Sequence, residues 1–256
     1  MTVLGIVGSP RKNGRTNALM DALLNGATRE GANTQKVYLM DYEIKSFTDP
    51  TGSIDGSQYC PEELSELCGE ADAIALGAPV YWGDINGLTK DFMDAVHIAG
   101  ANGKPAVGIA IAGGTGKGLL SGVQSIYHFF YHKQMRGMDP TPVSRFNMAK
   151  ILEALETTGA RLAKVSQHKE PFPGETRDAR WPALLAYYAS MGVLAQDPVD
   201  EFIMLAQQLI DISEGDEVDE AQELLDKGLT LIEEGNRAEG AKYVVRSYQT
   251  LYYPPA

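Results

Sequence analysis

The sequence predicts a doubly wound α/β fold: a five-stranded parallel sheet with helices on both faces, followed by an all-helical extension. Three observations predict it. Over residues 2–167 short apolar runs alternate five times with longer stretches of helical periodicity. The loops after the first, third and fourth runs are rich in glycine and in polar or aromatic side chains, as suits the carboxyl edge of an open sheet. Beyond residue 182 the alternation stops and helical patterns alone continue.

The first strand is read over residues 2–8 and ends at Gly8-Ser9-Pro10. A helix over 17–29 follows, with Ala18, Leu19, Ala22 and Leu23 at helical spacing. The second strand covers 35–40, and 45–58 is a long polar loop. Pro61-Glu62-Glu63 opens a helix, with proline and acids in its first turn. Strand three is 72–78, with a helix over 87–100. Strand four is 105–112, with a helix over 119–135. Strand five is 141–146, with a helix over 147–167. The sheet domain is thus assigned to 1–168 and a proline- and charge-bearing arm to 169–181. The extension at 182–256 carries helices near 183–192, 198–214, 216–234 and 237–250. Its last two resemble a single tetratricopeptide-style hairpin with no second copy.

The formal net charge is −12, and residues 171–256 carry −10 of it. Such a surface predicts no nucleic-acid partner, because phosphate binding rests on clustered Lys and Arg. No apolar run reaches the length of a membrane span, and Met1-Thr2-Val3-Leu4 has no basic leader region. The two cysteines, Cys60 and Cys68, are too few for a disulfide framework. A cytoplasmic location is expected.

The first loop carries the main chemical signal. Ser9, Asn13, Thr16 and Asn17 offer short hydrogen-bonding side chains, and Arg11, Lys12 and Arg15 offer cations. The loop opens onto a helix N-terminus, where free N–H groups and the dipole favour an anion. The dinucleotide pattern G-x-G-x-x-G fails, because Ser9 and Pro10 follow Gly8. Gly116-Lys117 fails the P-loop pattern, with Gly118 where Ser or Thr is needed. The loop therefore suits a monophosphate. The third-strand loop, Pro79-Val80-Tyr81-Trp82-Gly83, brings two aromatic rings to the same edge. The fourth-strand loop, Gly113-Gly114-Thr115-Gly116, permits close approach of backbone to a planar ligand. Packing under a loop or at a subunit interface is the alternative use of Tyr81 and Trp82. His128 and His132 share a helix face without completing a metal motif, and Lys90 and Asp94 are spaced for a surface ion pair.

Gly8-Ser9-Pro10-Arg11 through Thr16-Asn17, Pro79-Val80-Tyr81-Trp82 and Lys90-Asp91-Phe92-Met93-Asp94 resemble the NADPH-dependent FMN reductase family, near its iron–sulfur flavoprotein branch. The resemblance covers roughly residues 1–165. It implies a flavodoxin-like sheet of strand order 2-1-3-4-5, non-covalent FMN, and a homodimer or homotetramer. It maps Ser9, Arg11, Asn13, Arg15 and Thr16 to the phosphate, and Pro79–Gly83 with Gly113–Gly116 to the ring. The compact four-cysteine motif of the cluster-bearing members is missing, and Ala95-Val96 replaces an arginine that the family favours. The expectation is an NAD(P)H-dependent flavoprotein oxidoreductase that passes electrons to a small acceptor such as a quinone or free flavin. An electron carrier docking a redox protein, and an assembly module with little turnover, are the alternatives.

Overall fold

A computed structural model describes residues 1–48 and 58–253. The central strand β1 (Thr2–Val7) lies between β2 (Asn33–Tyr38) and β3 (Ala73–Tyr81), parallel to both. A two-residue strand, β4 (Asp84–Ile85), folds back antiparallel onto the end of β3. The strand β5 (Pro105–Ala112) runs parallel to β3 on its far side. Beyond β5 lie β6 (Arg136–Gly137) and β7 (Thr141–Ser144), both parallel to it.

The order is β2-β1-β3-β5-β6, with β7 also on β5. The chain winds outward in one direction from β1 and in the other from β3, so the direction reverses between them. The fold is the expected doubly wound parallel sheet, and it differs from the expected five strands in detail. β4 and β6 are added, and the expected strand over 141–146 is present as β7. Asp139, with φ 50°, and Pro140 interrupt the pairing between β6 and β7. Pro142 is accommodated within β7 because that strand lies at the sheet edge.

Alternation along the strands builds two cores. Val3, Val7, Ala73, Ala75, Val107 and Ile109 face α1 (Arg15–Arg29) and α5 (Met148–Ser166). Leu4, Ile6, Ile74, Leu76, Ala106 and Ala110 face α2 (Glu62–Glu70), α3 (Gly87–Ala95) and α4 (Leu119–His132). All eight residues of β5 are buried, as a strand covered on both faces requires. The predicted helix over 87–100 ends at Ala95, where Val96 turns to extended backbone. The polar loop read over 45–58 falls mostly at 49–57, outside the described residues.

The extension consists of α6 (Trp181–Ala189), α7 (Pro198–Ile210), α8 (Asp216–Glu233) and α9 (Arg237–Tyr252). It is packed onto the sheet. From α6, Leu184 and Tyr188 enter the core beside α4, and the Tyr188 hydroxyl donates to Met135 O at 2.8 Å. Leu205, Leu209, Val244 and Tyr248 form a third core with Ala112, Leu119 and Phe146, at the carboxyl ends of the strands. Helices α8 and α9 meet backbone to backbone: a Cβ at Gly240 would lie 2.6 Å from Gly228 O. Among the described residues no helix is long and apolar enough to cross a membrane.

Candidate functional site

Three loops converge at the point where the sheet changes direction. They line a cleft of about 680 Å³, within the ordinary range of small-ligand sites of about 300–1,000 Å³. Its walls are Ser9, Arg11, Gly14, Arg15 and Thr16 from the first loop, Pro79, Val80, Tyr81, Trp82 and Gly83 from the second, and Ile111, Gly113, Gly114, Thr115 and Lys117 from the third.

The first loop is held from beneath. Gly8 N–H donates to Gly77 O at 2.7 Å, and Asn86 Nδ2 donates to Gly8 O at 2.9 Å. Thr89 packs so closely that a Cβ at Gly8 would lie 1.8 Å from its hydroxyl oxygen, which accounts for the glycine. Ser9 Oγ accepts from Arg11 N–H at 3.1 Å and turns the chain toward α1. The cap position of α1 is Gly14, which has no side chain, and no acid stands in the first turn. The first amides of α1 and its dipole therefore point at the cleft without an intramolecular anion.

Arg11 and Arg15 are exposed, and among the described residues neither has a carboxylate within ion-pair distance. Lys12, by contrast, is spent on Asp41 at 2.7 Å. Arg15 reaches across to the third loop, where a Cβ at Gly113 would lie 3.7 Å from its Nη1. Buried Ser9 and Thr16 add hydroxyls to the same wall. Two guanidinium groups, two hydroxyls and an open helix N-terminus form a donor set that fits a phosphate monoester.

The second loop is the turn of the β3–β4 hairpin. Trp82 (φ 55°) and Gly83 (φ 88°) both adopt left-handed backbone, as a two-residue turn of the I′ class requires. A tryptophan there is strained, and it stands fully exposed at the lip. Ser121 donates to Gly83 O and Ser125 Oγ donates to Asp84 at 2.6 Å, so α4 fixes the hairpin. Tyr81 and Trp82 present apolar ring surface beside the open backbone at Gly114, where a Cβ would meet nothing within 4 Å. Ring surface and bare backbone are the two features a planar ligand needs.

Three residues expected at the site are placed elsewhere. Asn17 faces away from the cleft: its carbonyl oxygen accepts from Lys36 Nζ at 2.9 Å and Tyr38 Oη at 2.8 Å, and its amide donates to Asp21 at 2.8 Å. Asn13 is exposed outside the lining. Gly116 is buried against the extension, with a would-be Cβ 2.6 Å from Leu205 Cδ2. Lys117 and Ile111, both unforeseen, line the cleft. The only sequence signal for Lys117 is the Gly116-Lys117 pair, which fails the P-loop pattern.

Cys60 and Cys68 are buried free thiols. Burial raises both, Cys68 to about 12. Among the described residues no group of three or more His, Cys, Asp or Glu is placed to hold a metal ion. His132 packs edge-on to Tyr131 and Trp181, and burial lowers its pKa. Lys90 and Asp94 form the surface pair their spacing predicts.

Known proteins resemble part of this chain. A family model described as NADPH-dependent FMN reductase matches residues 1–145. An iron–sulfur flavoprotein of Methanocaldococcus jannaschii is 31% identical over 156 residues, covering 57% of this chain and 80% of that one. An iron–sulfur flavoprotein of Archaeoglobus fulgidus is 31% identical over 126 residues, covering 46% of this chain and 57% of its own length. The crystal structure of an oxidoreductase from Corynebacterium diphtheriae is 12% identical and covers 66% of this chain and 98% of that one, with a TM-score of 0.50. At that identity it bears on the fold alone.

Proposed function

Because this chain belongs to the NADPH-dependent FMN reductase family, we propose that the cleft binds FMN and that the protein transfers electrons from NAD(P)H to a small acceptor such as a quinone or free flavin. One observation carries the reading. The uncapped N-terminus of α1, with Arg11 and Arg15 unpaired among the described residues, opens into the cleft that Tyr81, Trp82 and Gly113–Thr115 also line. Ser9, Arg11, Arg15 and Thr16 hold the phosphate. Pro79–Gly83 and Gly113–Thr115 receive the ring.

The flavin supplies the redox chemistry when bound. The chain binds it, orients its ring between two loops and keeps one side open to donor and acceptor. The sequence holds two cysteines, so four thiolates for a cluster are not available within it. A diffusible acceptor is therefore favoured over an intramolecular one. Residues 1–168 are proposed as the flavin-binding unit, 169–181 as its arm and 182–256 as the extension. A homodimer or homotetramer is proposed as well, with exposed Trp82 as a candidate contact; light scattering of wild type and W82A tests it.

The decisive experiment is anaerobic. Purified protein is titrated with FMN while flavin fluorescence is followed, and NADPH or NADH is then added. The reading expects saturable binding and bleaching of the oxidised flavin band. Absence of binding would sink the site. Binding without bleaching by either nucleotide would leave an electron carrier and overturn the reductase.

A further inference from the structure

Helices α7 and α9 lie outside the residues matched by the family model, yet they grip the third loop of the cleft. That loop ends at Gly118, the cap of α4, which sits in left-handed backbone (φ 88°) and has no side chain to offer the helix. Two amides at this helix end, those of Gly118 and Leu120, are nevertheless satisfied. The Glu201 carboxylate, buried in the first turn of α7, accepts Gly118 N–H at 2.9 Å on one oxygen and Leu120 N–H at 3.0 Å on the other. Tyr248 of α9 donates to Thr115 O at 2.9 Å. The Lys117 ammonium stands 5.3 Å from the Phe202 ring and 5.5 Å from the Tyr248 ring.

We infer that Glu201 is a positioning residue of the cleft, through which the helical extension sets the third loop for the planar ring of the ligand. The inference rests on the FMN reading. A glycine-rich loop samples many backbone states, and two charge-assisted bonds at its downstream end with one at its centre select a single state. The Glu201 charge also satisfies the α4 N-terminus from within the chain, which leaves the α1 N-terminus as the one of this pair open to the ligand's anion.

The test uses the full chain as wild type, Glu201→Gln and Tyr248→Phe. Affinities for FMN and for riboflavin, the absorption spectrum of the bound flavin, and amide exchange at residues 113–120 without ligand are measured. The glutamine side chain keeps the shape but turns an N–H donor toward one of the two amides, which loses its partner. Glu201→Gln is expected to weaken FMN and riboflavin alike by about tenfold, speed exchange at Gly118 and Leu120 and shift the flavin band. Tyr248→Phe is expected to do the same by about threefold. Riboflavin lacks the phosphate, so an equal loss for both ligands assigns the effect to the ring side.

A loss confined to FMN, or an altered melting temperature with unchanged affinity and spectrum, would overturn the inference and leave Glu201 a packing residue. If Glu201→Gln does not fold, Tyr248→Phe decides by the same criteria. A wild type that binds neither ligand overturns the FMN reading itself. That result is distinct from one in which wild type and variants bind alike, which overturns the role of Glu201 alone.

Discussion

Two helix N-termini stand at the same edge of the sheet and are treated in opposite ways. Helix α1 begins at Gly14 with no side-chain cap, no acid in its first turn and two arginines nearby without carboxylate partners among the described residues. Helix α4 also begins at a glycine without a local cap, but a buried carboxylate from α7 closes it. Both ends carry the same partial positive charge and orphan amides. Under the proposed function, the difference separates the end used by the ligand from the end used by the fold. An end that the chain neutralises itself needs no outside anion, whereas an end left cationic can accept one from solution. The C-terminus of α2 extends the pattern with the sign reversed. There the buried Lys104 ammonium donates to Cys68 O at 2.6 Å and Gly69 O at 2.9 Å.

The sharpest way to break this comparison is to make α1 resemble α4. Gly14 has extended backbone (φ −92°, ψ 175°), which aspartate adopts without strain. A Cβ there lies 3.1 Å from Arg11 O, a few tenths of an ångström tight. Gly14→Asp should cap α1 and fill the anion site, lowering FMN affinity by about a hundredfold or more in a fluorescence titration. Stability should change by less than about 1 kcal/mol in urea unfolding, since the gained cap offsets the crowding. Retained affinity would mean that the phosphate binds elsewhere.

Arg15→Ala should come next, with FMN weakened about thirtyfold and riboflavin nearly unaffected, because the proposed function assigns its charged hydrogen bond to the phosphate. Equal weakening of both flavins would instead assign Arg15 to the ring, beside Gly113.

The cap of α2 has a pH signature. Burial, reinforced by Lys169, lowers the Lys104 pKa from its ordinary 10.5 to about 8. Between pH 8 and 10.5 the folded chain has released this proton while the unfolded chain still holds it. Folding stability contributed by this group therefore rises with pH across that window, by about 1 kcal/mol between pH 8 and 9. Lys104→Met should flatten that rise in denaturant titrations at the two pH values. A wild-type profile that falls over the interval, with the variant following it, would remove the buried ammonium from the account.

The smallest effect concerns the second loop. Trp82 buries nothing in this chain and holds a left-handed backbone. Trp82→Gly should leave stability within about 1 kcal/mol of wild type, relief of strain being offset by the extra freedom of the unfolded chain. FMN should weaken a few-fold. A larger destabilisation would reveal that the tryptophan is covered in the working assembly.

Much of this was legible in the sequence, and the exceptions have a common cause. The strands at 2–8, 72–78 and 105–112 were readable because both-face burial demands uninterrupted apolar runs, and β1, β3 and β5 occupy those stretches. β6 lies outside the strand expected over 141–146, since nothing in Arg136-Gly137 advertises a strand; its pairing comes from Pro105 and Ala106 of β5. Asn17 follows Thr16 directly, so its place in the sequence suggests the first loop. One step along a helix turns a side chain by about 100°, and that step carries Asn17 to Lys36 and Tyr38 while Thr16 lines the cleft. Gly116 shares the backbone freedom of Gly113 and Gly114 in sequence, whereas in the fold its bareness serves contact with Leu205.

The sequence by itself determined the local parts: the alternation of strand and helix, the glycine-bearing turn before α1, the aromatic pair at the end of β3 and the cationic character of the first loop. Each follows from burial, backbone freedom or charge within a few neighbouring residues. Tertiary structure alone decided which helix end stays open. Glu201 and Gly118 are 83 positions apart, and Tyr248 and Thr115 are 133 apart. No local pattern encodes such a partner, because a hydrogen bond across the fold exists only after α7 and α9 have packed on the ends of the strands.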